Sequence, residues 1–151
     1  MRPYILTGSF NLPKLFCRLD DEIRKSIFEG YFTYQTGMAM GADIWAAEIV
    51  LKLKKEFPDV RLVCCLPCET QADTWPNSLR ETYFDTLAAA DEVICQQENY
   101  TIGCIQRRNR RMIDVSSRLI AIHDEKPSGG AARTIGYARK RGLDVVTISP
   151  L

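Results

Sequence analysis

The chain has 151 residues, 46% of them hydrophobic and 26% charged, with six Cys and a formal net charge of +1. One ordinary domain is expected from that length, and the composition excludes a largely disordered chain, a collagen-like repeat and a disulfide-dependent miniprotein. Near-neutrality gives no global signal for a polyanion partner, but the charges are unevenly placed: residues 99–151 hold 10 basic and 4 acidic side chains, residues 1–98 hold 10 and 15. That asymmetry suits a small anionic ligand near the C-terminal half better than a nucleic-acid-coating surface, so nucleic acid is an unexpected partner.

In chain order, Pro3–Thr7 is a short β-prone run ending at Gly8. Leu15, Leu19, Ile23 and Ile27 recur every four positions and predict a helix over about 14–28. Tyr31–Thr36, aromatic and β-branched, reads as a second strand, broken by Gly37-Met38-Ala39-Met40-Gly41. A helix over about 42–57 stops at Pro58, because proline cannot continue it. Arg61–Leu66 is a third strand, and a helix over about 76–89 leads to a fourth at Glu92–Gln96. A helix over about 105–116, a strand at Leu119–His123, a helix over about 131–141 stopped by Gly142, and a strand at Asp144–Ile148 complete the pattern.

Alternating β and α elements without a repeat or linker predict a single α/β domain over 1–151, a mainly parallel sheet with helices on both faces. The N-terminus lacks a signal-peptide pattern and no apolar run approaches the ~18 residues of a membrane span, so a cytoplasmic chain with reduced thiols is expected. Cys64, Cys65 and Cys68 have no second ligand pair at metal-site spacing and the sole His is at 123. They read as buried strand thiols, and no metal is expected.

In parallel sheets ligands sit beyond the carboxyl ends of the strands. Three such ends carry glycine: Gly8-Ser9, Gly37-x-Ala39-x-Gly41 before Asp43, and Gly129-Gly130 before the last helix. Glycine there permits close backbone approach, and the helix start offers N–H groups to a phosphate, although glycine also simply makes turns. No Gly-Lys-Ser/Thr follows Gly41 and no dinucleotide fingerprint follows the first strand, which excludes a standard P-loop NTPase and a standard dehydrogenase.

Arg107, Arg108, Arg110 and Arg111 flank Asn109 on one helix and are suited to phosphate or carboxylate, although they cannot all face one ligand. Asp43 and Glu69 are candidates for ribose hydroxyls, Glu48 and Glu69 for catalytic carboxylates, and Trp45 for a base platform. Asp43 has a plainer reading as a helix-start charge, and Trp45 as core packing.

The sequence resembles the YpsA-like branch of the SLOG superfamily of Rossmann-like nucleotide-binding proteins. The resemblance runs from residue 4 to 150 and rests on Gly37–Glu48, Pro67-Cys68-Glu69-x-Gln71, Trp75, Arg108-Asn109-Arg110-x-Met112 with Asp114 and Ser116, and Gly129-Gly130. It is also similar to the Rossmann-like domain of DNA-processing protein A and, more distantly, to the LOG phosphoribohydrolases. The resemblance implies binding or sensing of a nucleotide-derived ligand, ADP-ribose-like or a nucleoside phosphate, through Gly8, Ser9, Gly37, Ala39, Gly41, Asp43, Trp45, Glu69, Gln71, Arg108, Asn109, Arg110, Gly129 and Gly130. No separate cofactor is required. An N-glycosidic hydrolase and a single-stranded DNA-binding module are the alternatives, and the sequence does not fix whether the chain forms a homodimer.

Two departures bear on this. The branch commonly has Gly-His-Arg where this chain has Gly8-Ser9-Phe10, and Gly-Gly-Thr where it has Gly129-Gly130-Ala131. Thr134, one turn later, is the candidate replacement hydroxyl. No Glu follows Gly130 in the last helix, contrary to the LOG signature.

Overall fold

A computed structural model describes residues 3–6, 13–123 and 129–149. The elements are β1 Pro3–Leu6, α1 Pro13–Phe28, β2 Thr33–Thr36, α2 Ala42–Glu56, β3 Arg61–Leu66, α3 Asn77–Ala89, β4 Glu92–Cys95, α4 Cys104–Asp114, β5 Arg118–Ile122, α5 Gly130–Lys140 and β6 Asp144–Ile148. The six strands form one parallel sheet in the order β4-β3-β2-β1-β5-β6. It is the Rossmann-like α/β arrangement expected from the alternation.

Residue parity separates two cores. Leu62, Cys64 and Leu66 of β3 join Ile120 and Ile122 of β5 against the first three helices, where Leu15, Leu19, Ile23 and Ile27 form the buried stripe of α1. Val63 and Cys65 join Leu119 and Ala121 on the opposite face, under Met112 and Ile113 of α4 and Ile135 and Ala138 of α5. A period of two along each strand makes this division, and each helix supplies its own apolar stripe.

Strand order reverses between β1 and β5, and the segments following those strands, 7–12 and 124–128, lie outside the described residues, Gly8 and Ser9 among them. The second strand is shorter than expected. Tyr31 closes the end of α1 through its N–H to the Ser26 carbonyl, and the Tyr31 carbonyl accepts from the Tyr34 hydroxyl. Helix α4 ends at Asp114, two residues early, where the Ser116 hydroxyl donates to the Met112 carbonyl and its N–H to that of Ile113. Gly142, at φ 79°, ends α5 in the left-handed conformation, and Leu143 N–H reaches back to the Ala138 carbonyl.

Candidate functional site

The four arginines of α4 point four ways. Arg107 donates to Gln97 Oε1 and Thr101 Oγ1 in the loop before the helix. Arg108 turns inward, only 5% exposed. Its Nη1 donates to the carbonyls of Gly37 (2.7 Å) and Cys65 (3.2 Å), and its Nε to Asn109 Oδ1 (2.8 Å). Arg110 faces α5, and Arg111 faces the β3–β4 side of α4.

Asn109 extends this chain of bonds. Its Nδ2 donates to Thr134 Oγ1 (3.3 Å), and the Thr134 hydroxyl donates to the Gly130 carbonyl (3.0 Å). A continuous buried relay therefore joins the turn after β2 to the first turn of α5. Thr134, 2% exposed, is committed to this relay, which corrects the expectation that its hydroxyl replaces the missing threonine at a phosphate.

The turn after β2 is held internally as well. Gln71 Nε2 donates to the carbonyls of Gly37 and Met38, and Asp43 Oδ2 accepts from the Ala39 N–H at 3.1 Å. Met38 sits at φ 57°, uncommon for a side chain of its size, and Thr36 Oγ1 accepts its N–H. Gly41, at φ 100°, opens α2 without a side-chain cap. Several side chains expected to face a ligand thus shape the turn that would face it.

Trp45 is half-buried and packs edge-on against Phe16, with ring centroids 6.4 Å apart; Trp75 does the same against Tyr83 at 5.1 Å. Asp43 is buried, whereas Glu48, further along α2, is exposed, with its carboxyl raised above its ordinary value by partial desolvation. Glu69 is exposed, and its backbone N–H is bonded to the Gln97 and Glu98 carbonyls. Glu48 lies on α2 and Glu69 in the loop after β3.

An open groove of about 360 Å³ runs between α4 and α5, lined by Gln106, Arg110, Arg133, Thr134, Gly136, Tyr137 and Lys140. Arg133, Tyr137 and Lys140 form one stripe at spacings of four and three, facing Gln106 and Arg110. Gly136 leaves that wall without a side chain, and Gln106 stands over Gly130, so one end of the groove meets the start of α5. Arg110 lies 5.8 Å from the Tyr137 ring centre, and the Tyr137 hydroxyl donates to Asp114 Oδ1 at 2.6 Å. That hydrogen bond to Asp114 raises the phenol above its ordinary value. The two helices hold six Arg and one Lys against Asp114 alone. Sequence patterning singles out Arg110 but misses Arg133, Tyr137 and Lys140, for which helical spacing is the available signal.

Among the described residues no group of three or more His, Cys, Asp or Glu could hold a metal ion, and no helix is long and apolar enough to cross a membrane.

A sequence model of the YspA SLOG family (YpsA) matches residues 12–147. The chain belongs to this family. It is 31% identical over 124 residues to a UPF0398 protein of Halalkalibacterium halodurans, covering 81% of this chain and 66% of the relative. It is 30% identical over 105 residues to a UPF0398 protein of Bacillus cereus, covering 68% of this chain and 57% of the relative. The chain thus spans somewhat over half the length of these relatives.

The structure is similar to DNA processing protein A from Helicobacter pylori, with a TM-score of 0.71 over 97% of this chain and 64% of that one, at 19% identity. That protein binds single-stranded DNA. The expectation against nucleic acid is corrected accordingly: this fold carries a single-stranded DNA binder. The net charge of +1 is an average over the chain, and the fold of this SLOG family member brings Arg110 of α4 together with Arg133 and Lys140 of α5 around one groove.

Proposed function

We propose that this chain binds single-stranded nucleic acid along the groove between α4 and α5. The observation that carries the reading is the alignment of Arg110, Arg133 and Lys140 in one open groove with Tyr137 between them. Three cations along a cleft match the spaced charges of a phosphodiester backbone, and arginine offers a planar fork to each phosphate. Gln106 and the start of α5, opened by Gly129 at φ 107° and uncapped by any side chain, extend the groove with neutral donors. Tyr137 and Arg110 supply flat surfaces for bases, which suits recognition indifferent to sequence.

The test is fluorescence anisotropy with a labelled oligo-dT. The reading predicts salt-dependent binding that Arg110→Glu with Arg133→Glu abolishes, while the far-ultraviolet spectrum stays unchanged. Binding indifferent to both substitutions would sink it.

A second reading, a nucleotide-derived small ligand such as ADP-ribose or a nucleoside monophosphate at the strand edge, is favoured by family membership and by the uncapped glycine start of α5. Gly37, Ala39, Gly41, Gly129 and Gly130 would lend backbone there. A thermal shift with ADP-ribose but not with oligo-dT would select this reading.

A further inference from the structure

Among the described residues the sheet face beneath α4 is covered by two helices, α4 and α5, and beside α4 it leaves a cavity of about 120 Å³. Gln35, Cys65, Leu66, Ile94, Gln96, Arg108, Arg111, Met112 and Val115 line it. It lies on the opposite side of α4 from the basic groove, and the two share no lining residue.

Arg108 makes this cavity unusual. A buried charge is ordinarily paired with an opposite one, because transfer of an unpaired ion out of water is costly. Arg108 is 5% exposed, and its hydrogen-bond partners are all neutral: two backbone carbonyls and the Asn109 carboxamide. Those bonds use Nε and Nη1, and Nη2 has no partner among the described residues. The lining contains a second guanidinium, that of the exposed Arg111, and no carboxylate. The rest of the wall is largely apolar: Leu66, Ile94, Met112 and Val115.

We infer that this cavity is a binding site for a small organic monoanion, a carboxylate on a short apolar or single-ring body. The carboxylate meets Arg108 Nη2 and Arg111, and the body lies against the apolar wall. An apolar void of about 150 Å³ takes benzene, so this cavity of about 120 Å³ holds a short branched or single-ring body in part, with the carboxylate at its open side beside the exposed Arg111. Inorganic phosphate satisfies the cations but leaves the wall without a partner. The inference is independent of the groove reading. Because Arg108 also holds the Gly37 carbonyl, an occupant of the cavity would be linked through one side chain to the turn after β2.

The experiment is isothermal titration, with chemical-shift mapping, of the whole chain against benzoate and isobutyrate, with benzamide and inorganic phosphate as comparators. Saturable binding of a carboxylate, with shifts centred on Ile94, Met112 and Val115, is expected. Benzamide should bind at least about tenfold more weakly, the value of one charge-assisted hydrogen bond. Val115→Trp, at an exposed wall position, should abolish binding, and Arg111→Gln should weaken it about tenfold; neither touches the Arg108 bonds. Arg110→Glu, in the groove, should leave benzoate affinity unchanged. The inference is overturned if neither carboxylate saturates, if benzamide or phosphate binds equally well, or if Val115→Trp has no effect.

Discussion

Arg108 Nη1 lies 2.7 Å from the carbonyl oxygen of Gly37, a residue 71 positions earlier in the chain. This proximity explains why position 37 is glycine. A Cβ there would stand 2.7 Å from Arg108 Cζ, closer than real side chains approach. The φ of Gly37 is not the reason, since it is not positive. Gly37→Ala should therefore displace the guanidinium and destabilise the fold by roughly 1–3 kcal/mol, read as a lower urea midpoint. Arg108→Lys should cost about 2–3 kcal/mol, because a single ammonium cannot reproduce bonds fanned to Gly37, Cys65 and Asn109. An unchanged midpoint in both variants would show that this pairing carries no stability.

Gly136 separates the groove's function from the fold's stability. Nothing lies within 4 Å of a Cβ at this helical position, and its φ is ordinary. Gly136→Ala should stabilise by about 0.5–1 kcal/mol, as glycine does poorly in a helix. Gly136→Met should keep the fold intact while its side chain enters the groove, and anisotropy should record weaker oligo-dT binding. Neutralising Arg110 and Arg133 singly should lower the slope of log affinity against log salt by about 0.7 for each phosphate that the arginine had paired.

Thiol reactivity should divide the six cysteines. All are free; Cys17 and Cys95 are exposed, and Cys64, Cys65, Cys68 and Cys104 are buried. Burial pushes the Cys64 thiol up to about 12, far from the thiolate form that reacts at neutral pH. A colourimetric disulfide reagent should label Cys17 rapidly in the native protein, Cys95 more slowly because desolvation raises its thiol as well, and all six in denaturant. Rapid labelling of Cys64 would contradict this packing.

Stability should fall at both ends of the pH scale, for separate reasons. Arg118 donates to both Glu29 oxygens (3.1 and 3.0 Å), and this holds the Glu29 carboxyl below its ordinary value. Desolvation raises the Asp91 carboxyl, but the Lys54 ammonium and the Leu62 N–H outweigh it and leave a net lowering. Carboxyls depressed in the fold stabilise above their unfolded value, about 4, and that contribution disappears as pH falls through the folded value. The urea midpoint should drop between pH 5 and pH 2, less steeply in Arg118→Gln.

At the alkaline end Tyr34 is the group to follow. Burial raises its phenol to about 12, while its hydroxyl is bonded to Ser26. A phenol raised in the fold stabilises fully below its unfolded value, about 10, and loses that contribution as pH rises towards 12. Tyr34→Phe should remove this loss from a series of urea midpoints between pH 9 and 12.

The sequence alone determined the elements and their alternation. Leu15, Leu19, Ile23 and Ile27 carry a period of four, the strands are short runs bounded by breaks in the pattern, and Pro58 and Gly142 stop helices by local sterics. Those signals act within a few residues, so they survive without the rest of the chain. The direction of a side chain around a helix relative to a distant strand is not local. Arg107, Arg108, Arg110 and Arg111 read as one basic run, yet one bonds a loop, one is buried, one faces α5 and one lines a cavity beside β3. Asp43 is a ligand candidate from its place at a helix start after a strand, and Gln71 and Asn109 are ligand candidates through the family resemblance. Only the tertiary structure shows their internal bonds: Asp43 and Gln71 hold backbone groups of the turn after β2, and Asn109 joins Arg108 to Thr134, since buried donors and acceptors must find partners.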